Sequence, residues 1–308
     1  MPLVDKIFSA ERLSLVAVPY TAFTDDGEAI VLGEVEGQAR FCQEQGNDVC
    51  LLQGTTGEWP SLSLEERVAL ATEWRRCVPP GSAMKLILHI GHDALPDAKA
   101  LARLASELKY DGVLLSPPSK FVAADLGAQV ACLAEVLAHC SEIPSFYYHY
   151  PMVYRDTFDL VELFDLARDT CPSLCGCKLS GAPVEDIERY GAYRPEEYAV
   201  ITTGHLNLVR SMRLPAVRGA IVVSYEPPIY KPVLDAYYGG RTEEADALEA
   251  YINNSRQVVA DLNAQLGAGP GSSATAVYCI AANKAAANGL EVRTTCGRTG
   301  TLRPWPNV

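Results

Sequence analysis

The chain has 308 residues, of which 48% are hydrophobic and 21% charged, a composition that supports one large buried core or two medium ones. Its formal net charge of -12 argues against nucleic acid and anionic membrane surfaces as partners, because both would repel the chain on average. No apolar stretch approaches the roughly 18 uncharged residues of a membrane span, and the opening segment lacks the basic head and apolar core of a secretion signal, so we expect a cytoplasmic protein.

Short apolar runs alternate with amphipathic helical patterns along most of the chain. The predicted strands are residues 13–18, 48–53, 84–90, 111–116, 144–149, 174–180, 198–203 and 218–223. The clearest helical patterns cover residues 31–45, 64–77, 96–108 and 125–140. Ser63 followed by Glu66 has the spacing of a capping box, in which each side chain binds a free backbone N–H, and this predicts where the second helix begins.

Eight strand–helix units with continuously apolar strands are typical of a closed parallel barrel rather than an open sheet. The sequence therefore predicts an α/β fold, a (β/α)8 TIM barrel over residues 1–240, with its chemistry at the C-terminal ends of the strands. From about residue 226 onward the pattern is purely helical. It predicts a C-terminal helical extension over residues 241–308 that packs on the barrel, with a turn at residues 267–273.

The segment QGTTGE directly follows the second predicted strand. Glycines on both sides of Thr55 and Thr56 let the backbone turn tightly and expose N–H groups and hydroxyls, which together form a neutral cradle suited to a carboxylate. A plain turn capped by the two threonine side chains is the structural alternative.

The third predicted strand ends in HIGHD, where His89 and His92 are candidate metal ligands. The chain has only five histidines, and Asp93 is the one carboxylate beside this pair, so a three-ligand site is incomplete. The three cysteines between residues 171 and 177 also lack the Cys-x-x-Cys spacing of zinc ribbons. We therefore predict no metal site, and we expect the ten cysteines to be free thiols packed as small apolar residues.

The fifth predicted strand ends in FYYHYP, which contains three tyrosines, at residues 147, 148 and 150. Successive side chains of a strand point to opposite faces, so these hydroxyls are distributed over both faces. Aromatic residues are common in strands, and simple packing is the structural alternative. One of the three could nevertheless face the neighbouring sixth strand.

The sixth predicted strand, LCGCKLS, carries Lys178 near its C-terminal end. Lysine is seldom buried without a partner, and the neighbours Cys177 and Leu179 supply no negative charge. Burial disfavours the ammonium form of a lysine, and the resulting amine can attack a ketone and form a Schiff base. A strand-end lysine that reaches solvent or pairs with a carboxylate is the structural alternative.

The motifs GTTGE, YYHYP and GCKLSG, in this order and spacing, resemble the N-acetylneuraminate lyase and dihydrodipicolinate synthase family of pyruvate-dependent class I aldolases. The resemblance extends from about residue 12 to residue 226 and is closest to the N-acetylneuraminate lyase branch. It implies that the amine of Lys178 condenses with the 2-keto group of pyruvate and that Tyr148 relays protons. It further implies that Thr55 and Thr56, with Gly54, hold the pyruvate carboxylate, and that Thr55 passes protons to Tyr148.

The same resemblance implies small-molecule substrates, either pyruvate and an aldehyde or their 2-keto acid aldol. It implies no metal and no organic cofactor, because the iminium itself accepts the electrons of the broken bond. It also implies a homotetramer built as a dimer of dimers.

The rim of the predicted site departs from the family. Val153 stands where the synthases carry an arginine for a second carboxylate, so we do not expect synthase activity. The sequence GHLN at residues 204–207 replaces the Gly-x-Asp-Glu of sialic acid lyases, which leaves His205 and Asn207 as candidate substrate-binding residues. Val222 and Val223, at the end of the predicted eighth strand, stand where those lyases have a Gly-Ser pair, which makes Val223 a candidate apolar contact for the substrate.

Two serines near the predicted site are also informative. Ser180 keeps a hydroxyl where the lyases have a threonine and is a further candidate substrate contact. Ser119 follows the fourth strand where many relatives place a second tyrosine, which implies a shorter or water-assisted proton relay. A site that loses groups for substrate hydroxyls changes its substrate, so we expect a shorter or less polar aldehyde than in sialic acid cleavage.

Three functions fit these observations. The first is a carbon–carbon lyase that cleaves a 2-keto-3-deoxy (sugar) acid to pyruvate and an aldehyde through the Lys178 iminium. The second is a dehydratase or hydratase-aldolase that uses the same iminium. The third is a non-catalytic paralogue that binds a keto acid, although a scaffold has no reason to keep a buried lysine.

Overall fold

The computed structural model describes residues 2–265, apart from residues 25, 121, 156, 204–207 and 223–226, with only the backbone at residue 227 and from residue 255 onward. Eight parallel strands close into a barrel in chain order. They are β1 Ser14–Ala17, β2 Val49–Leu52, β3 Lys85–His89, β4 Gly112–Leu115, β5 Ser145–His149, β6 Leu174–Leu179, β7 Ala199–Thr203 and β8 Val217–Val222. All eight predicted strands are present with ends within one residue of the prediction, so the TIM barrel is confirmed.

Helices follow the strands around the barrel. They are α1 Glu34–Gln45, α2 Leu64–Cys77, α3 Leu95–Glu107, α4 Leu126–Leu137, α5 Pro151–Tyr154, α6 Leu160–Ala167, α7 Val184–Gly191, α8 Leu208–Met212 and α9 Pro227–Tyr238, with short 3-10 helices at Leu3–Lys6 and Trp59–Ser61. The capping box is confirmed, because the Ser63 hydroxyl accepts a hydrogen bond from the Glu66 N–H and the Glu66 carboxylate accepts one from the Ser63 N–H. The first helix begins at Glu34, a few residues after the start that its pattern predicted.

The buried side chains form two separate layers. The outer layer lies between the strands and the helices and is built mainly from apolar side chains. The inner layer fills the barrel itself and contains Val16, Val49, Leu51, Ile87, Leu114, Phe146, Tyr148, Cys175, Ala199, Ile201 and Ile221. Phe8, from the N-terminal segment, closes the lower end of the barrel with its ring edge-on to Phe146, 5.8 Å between centroids. The lower end is therefore an apolar plug, and the upper end is left for chemistry.

An irregularity in β6 aims Lys178 into the barrel. Three residues of β5, Ser145 to Tyr147, face four residues of β6, Leu174 to Cys177, so β6 contains a bulge of one residue. As a result Cys175 joins the inner layer and Cys177 joins the outer layer, although a regular strand would place both on one face. Gly176 permits the bulge, because a Cβ there would lie 2.0 Å from the carbonyl oxygen of Ala199.

The described part of the C-terminal extension is helical. Helix α10, Thr242–Gln265, packs on α8 and α9, and the Glu249 carboxylate accepts a hydrogen bond from the Val209 N–H at 3.0 Å. The candidate residues His205, Asn207 and Val223, and everything from residue 266, lie outside the described residues, and the division at residue 240 stays a prediction. Among the described helices, none is both long and apolar enough to cross a membrane.

Candidate active site

The predicted nucleophile and the predicted proton relay lie side by side at the upper end of the barrel. Tyr148 on β5 and Lys178 on β6 are register partners, and the Lys178 Nζ lies 3.8 Å from the centre of the Tyr148 ring. Both side chains are buried, with exposed fractions of 2% for Tyr148 and 5% for Lys178. An amine and a phenol are thus held together out of bulk water, an arrangement suited to proton transfer between them.

The hydroxyl of Tyr148 is the centre of a small hydrogen-bonded group. Its Oη lies 3.1 Å from the Oγ1 of Thr55, and the side chains of Lys178 and Ser180 also form hydrogen bonds with it. Burial raises the pKa of Tyr148, but the nearby positive charge of Lys178 and these hydrogen bonds lower it, and the net shift is downward. Tyr148 therefore gives up and regains its proton more readily than an ordinary buried tyrosine.

The turn after β2 presents Thr55 and Thr56 to the site, both half-buried. Its left-handed backbone lies at Gln53, with φ of 54°, and at Glu58, with φ of 57°, and not at the two glycines. Gly57 is needed for close approach instead, because a Cβ there would lie 2.9 Å from the Gln53 Cα. Two left-handed non-glycine residues in one turn store strain of about 1–3 kcal/mol each, which is common at binding sites.

The turn is anchored so that its amides stay available. The Thr21 hydroxyl, after β1, donates to the carbonyl oxygen of Gly57 at 2.6 Å. Within the described residues, the N–H groups of Thr55 and Thr56 donate to no other group. Gly54, the predicted third member of the cradle, is buried against Leu51. Two free amides beside two hydroxyls suit an anionic group such as a carboxylate.

Beside this group lies Arg67, a charged residue that was not predicted as part of the site. It comes from α2, is fully buried, and donates to the Gln53 side chain at 3.1 Å, the Gly91 carbonyl at 2.8 Å and the His89 carbonyl. Burial lowers the pKa of Arg67 to about 9. In the sequence, Arg67 shares one helical face with Leu70, Ala71 and Trp74, and that spacing was the available signal of its burial.

His89, the last residue of β3, is fully buried between Arg67 and Tyr148. Its Nε2 lies 3.0 Å from the Ser116 hydroxyl, and its Nδ1 lies 3.5 Å from an Arg67 nitrogen. Burial, followed by the charges of Arg67 and Lys178, lowers the pKa of His89 well below its usual value, so its imidazole is neutral. No group of three potential ligands suited to a metal ion occurs in the described part of the chain.

Aromatic rings surround Tyr148 at the mouth. Tyr154 of α5 lies edge-on to Tyr148 with 5.5 Å between ring centroids, and Tyr150 stacks on Tyr148 at 6.0 Å. The Tyr154 hydroxyl, itself buried, forms hydrogen bonds with the Ser116 and Trp59 side chains. Tyr154 lies outside every predicted strand and helix, so its place in the site could not be read from periodicity.

At the rim, Ser119 is tied down rather than directed into the mouth. The Asp93 carboxylate accepts hydrogen bonds from the Ser119 N–H at 2.6 Å and from the Ser119 hydroxyl at 2.9 and 2.8 Å. On the opposite side, Met152 and Val153 are 61% and 40% exposed, and Met152 lies close to Gly181, after β6. The exposed side chains within α5 itself are thus apolar, and the exposed Arg155 directly follows them.

The chain is similar to known proteins along most of its length. The model of the dihydrodipicolinate synthetase family matches residues 12–289. The chain is 28% identical to N-acetylneuraminate lyase of Danio rerio over 76% of this chain and 77% of that protein. It is 33% identical to N-acetylneuraminate lyase A of Xenopus laevis over 58% of this chain and 59% of that protein. In fold it is similar to Proteus mirabilis N-acetylneuraminate lyase, with a TM-score of 0.76, 22% identity and coverage of 96% of this chain and 94% of that one.

Proposed function

Because the chain belongs to the dihydrodipicolinate synthetase family, we propose that it is a class I carbon–carbon lyase that cleaves a 2-keto-3-deoxy acid to pyruvate and an aldehyde. The observation that carries this proposal is the buried pair of Lys178 and Tyr148, with Nζ 3.8 Å from the ring centre and Thr55 3.1 Å from the phenol oxygen. A lysine held in this way is a nucleophile with its proton acceptor already in place.

The reaction begins when the Lys178 amine attacks the 2-keto carbon and water leaves, which forms a protonated imine. Tyr148, whose pKa is lowered, can accept the proton that the lysine must lose before it attacks. In the cleavage step the phenolate of Tyr148 takes the proton of the C4 hydroxyl, the C3–C4 bond breaks, and its electron pair moves to the iminium. An aldehyde leaves, and an enamine of pyruvate stays on the lysine.

The enamine then takes a proton at C3, and hydrolysis of the imine releases pyruvate and restores the amine. The Tyr148 hydroxyl, which holds the proton taken from the substrate, is the natural donor, and Thr55 is placed to pass protons to and from it. The free backbone N–H groups of Thr55 and Thr56 would bind the substrate carboxylate throughout the reaction. The iminium withdraws the electrons, so the proposal requires no metal and no organic cofactor.

The apolar residues of the rim favour an uncharged and less polar aldehyde fragment in the substrate. Val153 supplies no cation for a second carboxylate, and its neighbour Met152 is also apolar and exposed. A neutral, less polar aldehyde fragment fits such a wall better than a second anion or a long polyhydroxylated chain. The proposal therefore places the protein apart from dihydrodipicolinate synthesis and from typical sialic acid cleavage.

We also propose a cytoplasmic location and a homotetramer, a dimer of dimers, the latter as the resemblance implies. Light scattering after size-exclusion chromatography tests the assembly directly. A monomer at micromolar concentration would contradict this part of the proposal without affecting the chemistry.

The chemistry is tested by trapping the iminium. The protein is equilibrated with pyruvate and reduced with sodium borohydride, and the intact chain and its peptides are weighed by mass spectrometry. We expect one pyruvate-sized adduct on Lys178, unchanged in Lys120→Met, whose lysine is exposed near the mouth, and absent in Lys178→Met. An unmodified chain, or an adduct on another lysine, would contradict the proposal.

Trapping does not distinguish a lyase from a dehydratase that uses the same iminium. A screen of 2-keto-3-deoxy acids with product analysis does, since release of pyruvate identifies carbon–carbon cleavage. Loss of water with an intact carbon chain would assign the dehydratase instead.

A further inference from the structure

A continuous set of hydrogen bonds runs beside the proposed active site. It links Arg67, His89, Ser116 and Tyr154, which we call the Arg67 network. All four side chains are buried, and they come from α2, β3, the end of β4 and α5. No step of the proposed reaction uses them.

The network contains a cation that a purely structural core would avoid. Within the described residues, Arg67 forms no ion pair with a carboxylate, and its hydrogen-bond partners are neutral carbonyl, amide and imidazole groups. It also lies over the Trp59 ring, 5.5 Å from the ring centre. A buried charge without a directly paired carboxylate is costly, and costly features of this kind are expected at functional sites rather than in ordinary cores.

Arg67 is joined to the rest of the network through His89. The guanidinium can only donate, and one of its nitrogens lies 3.5 Å from the His89 Nδ1. The other ring nitrogen, Nε2, shares a hydrogen bond with the Ser116 hydroxyl at 3.0 Å. Ser116 also forms a hydrogen bond with the Tyr154 hydroxyl, and the Trp59 indole can only donate to the same oxygen.

Two rings of this network contact Tyr148. The His89 ring stands at 89° to the Tyr148 ring with 6.1 Å between centroids, and the Tyr154 ring stands at 67° with 5.5 Å. Because each of these side chains is held by hydrogen bonds at its polar atoms, neither can swing away from Tyr148 without breaking a buried bond. The Tyr148 ring is therefore confined by partners that are themselves immobilised.

We propose that His89, Ser116 and Tyr154, oriented by Arg67, are positioning residues that aim the Tyr148 hydroxyl at Lys178 and the bound substrate. The inference rests on the proposed function, since it assigns these residues to the proton-transfer step of that reaction. The two side-chain torsions of a tyrosine let its hydroxyl move unless neighbouring groups confine the ring. Misplacement of a reacting group by about 1 Å can lower a reaction rate by about 10²-fold. Confinement of the ring from the side is thus a direct way to set the rate of proton transfer.

The test follows a proton transfer that needs no knowledge of the aldehyde. In D2O, the iminium of pyruvate loses a C3 proton to a base, forms the enamine and regains a deuteron, so the methyl signal of pyruvate disappears in NMR spectra. The rate of this exchange measures proton transfer. The fraction of Lys178 trapped by borohydride after equilibration measures imine formation separately.

Tyr154→Phe is the main variant, because it keeps the ring beside Tyr148 and removes only the bonds to Ser116 and Trp59. We expect its maximal exchange rate to fall by roughly 10- to 100-fold, with the half-saturating pyruvate concentration and the trapped fraction unchanged. Tyr110→Phe is the matched control, since Tyr110 is also buried and donates to the Ala71 carbonyl far from the site at 2.7 Å. It should exchange at the wild-type rate.

His89 supplies an independent check. His89→Leu removes the hydrogen-bonding partner of Ser116, whereas His89→Gln can still offer an amide group at that place, so we expect Gln to restore much of the rate that Leu loses. A structural role alone would not produce this rescue at equal thermal stability.

The outcomes separate the two proposals. Wild-type exchange rates in Tyr154→Phe and His89→Leu, with wild-type protein trapped at Lys178, overturn the positioning role and leave the proposed function intact. A loss of exchange matched by an equal loss of trapping or of folded protein also overturns it, because such a loss reports general damage. A wild-type protein that traps no pyruvate overturns the proposed function, and this inference with it.

Discussion

The two ends of the barrel interior are built from the same strands but bury opposite kinds of side chain. At the lower end Ile87 and Phe146 pack in the same apolar cluster as Phe8, which closes the barrel there. Two residues further along the same strands, His89 and Tyr148 occupy the upper end. Only the position along the strand separates an apolar floor from a polar mouth.

This difference indicates which end of the barrel stabilises the fold and at which end burial of polar groups is unfavourable. Buried apolar groups at the floor contribute transfer and packing energy. Buried polar and charged groups at the mouth must be compensated by hydrogen bonds and stabilise little. Substitutions at the mouth should therefore remove chemistry while sparing stability, and substitutions at the floor should do the reverse.

Lys178→Met is expected to have the largest effect on activity and to show that a substitution at the mouth can leave stability intact. Loss of the amine abolishes imine formation, so pyruvate exchange should fall by on the order of 10⁴-fold or more. The variant buries a side chain of similar size without a charge, and we expect its urea midpoint to equal or exceed that of the wild type. The measurements are NMR exchange in D2O and urea denaturation. A variant that unfolds at lower urea would show that Lys178 also supports the fold.

Tyr148→Phe should separate the two steps of the reaction at the mouth. The variant keeps the ring beside Lys178 but loses the phenol, so we expect exchange to slow by roughly 10²–10⁴-fold while borohydride still traps pyruvate on Lys178. Tyr147→Phe is the matched control, because Tyr147 is the neighbouring tyrosine of β5 and points to the outer layer. Equal rates for both variants would remove Tyr148 from the proton relay.

Phe146→Ala tests the floor of the same strand. Deletion of a fully buried aromatic ring should lower the free energy of unfolding by about 3–5 kcal/mol, whereas Phe146→Leu should cost much less. At low temperature, where the Ala variant stays folded, trapping at Lys178 should persist. If Phe146→Ala abolished trapping in folded protein, the two ends of the barrel would not be independent.

Much of this comparison could be predicted from the sequence. The strands were recognisable because they are continuously apolar, and Lys178, Tyr148 and Thr55 were recognisable because each ends or follows a strand within a distinctive motif. The alternation of side chains did not, however, indicate which tyrosine faces inward. The register of Tyr148 with Lys178 depends on the bulge at Gly176, which periodicity cannot reveal.

The Arg67 network was missed for a different reason. Arg67 and His89 are polar residues whose burial depends on partners distant in sequence, namely Gly91, Ser116 and Gln53. Propensity and pattern describe local structure, whereas satisfaction of buried polar groups is a tertiary property. His89 was considered only as a metal ligand, although its place at the end of a barrel strand already put it inside the mouth.

The smallest expected effect concerns pH, and it too separates mouth from floor. His89 is buried with a pKa held well below 6.5, so as the pH falls below about 6.5 the unfolded chain binds a proton that the folded chain refuses. This residue should therefore lower the free energy of unfolding by about 1 kcal/mol between pH 6.5 and 5.5. His92, whose pKa burial also lowers, contributes in the same direction. In His89→Gln the decrease in the free energy of unfolding between the two pH values should be smaller by that amount. In Phe146→Leu the decrease should equal that of the wild type, so the slope of stability against pH is unchanged. Urea titrations at the two pH values measure both. An unchanged slope in His89→Gln would mean that His89 takes up its proton in the folded protein, which would contradict a neutral imidazole in the Arg67 network.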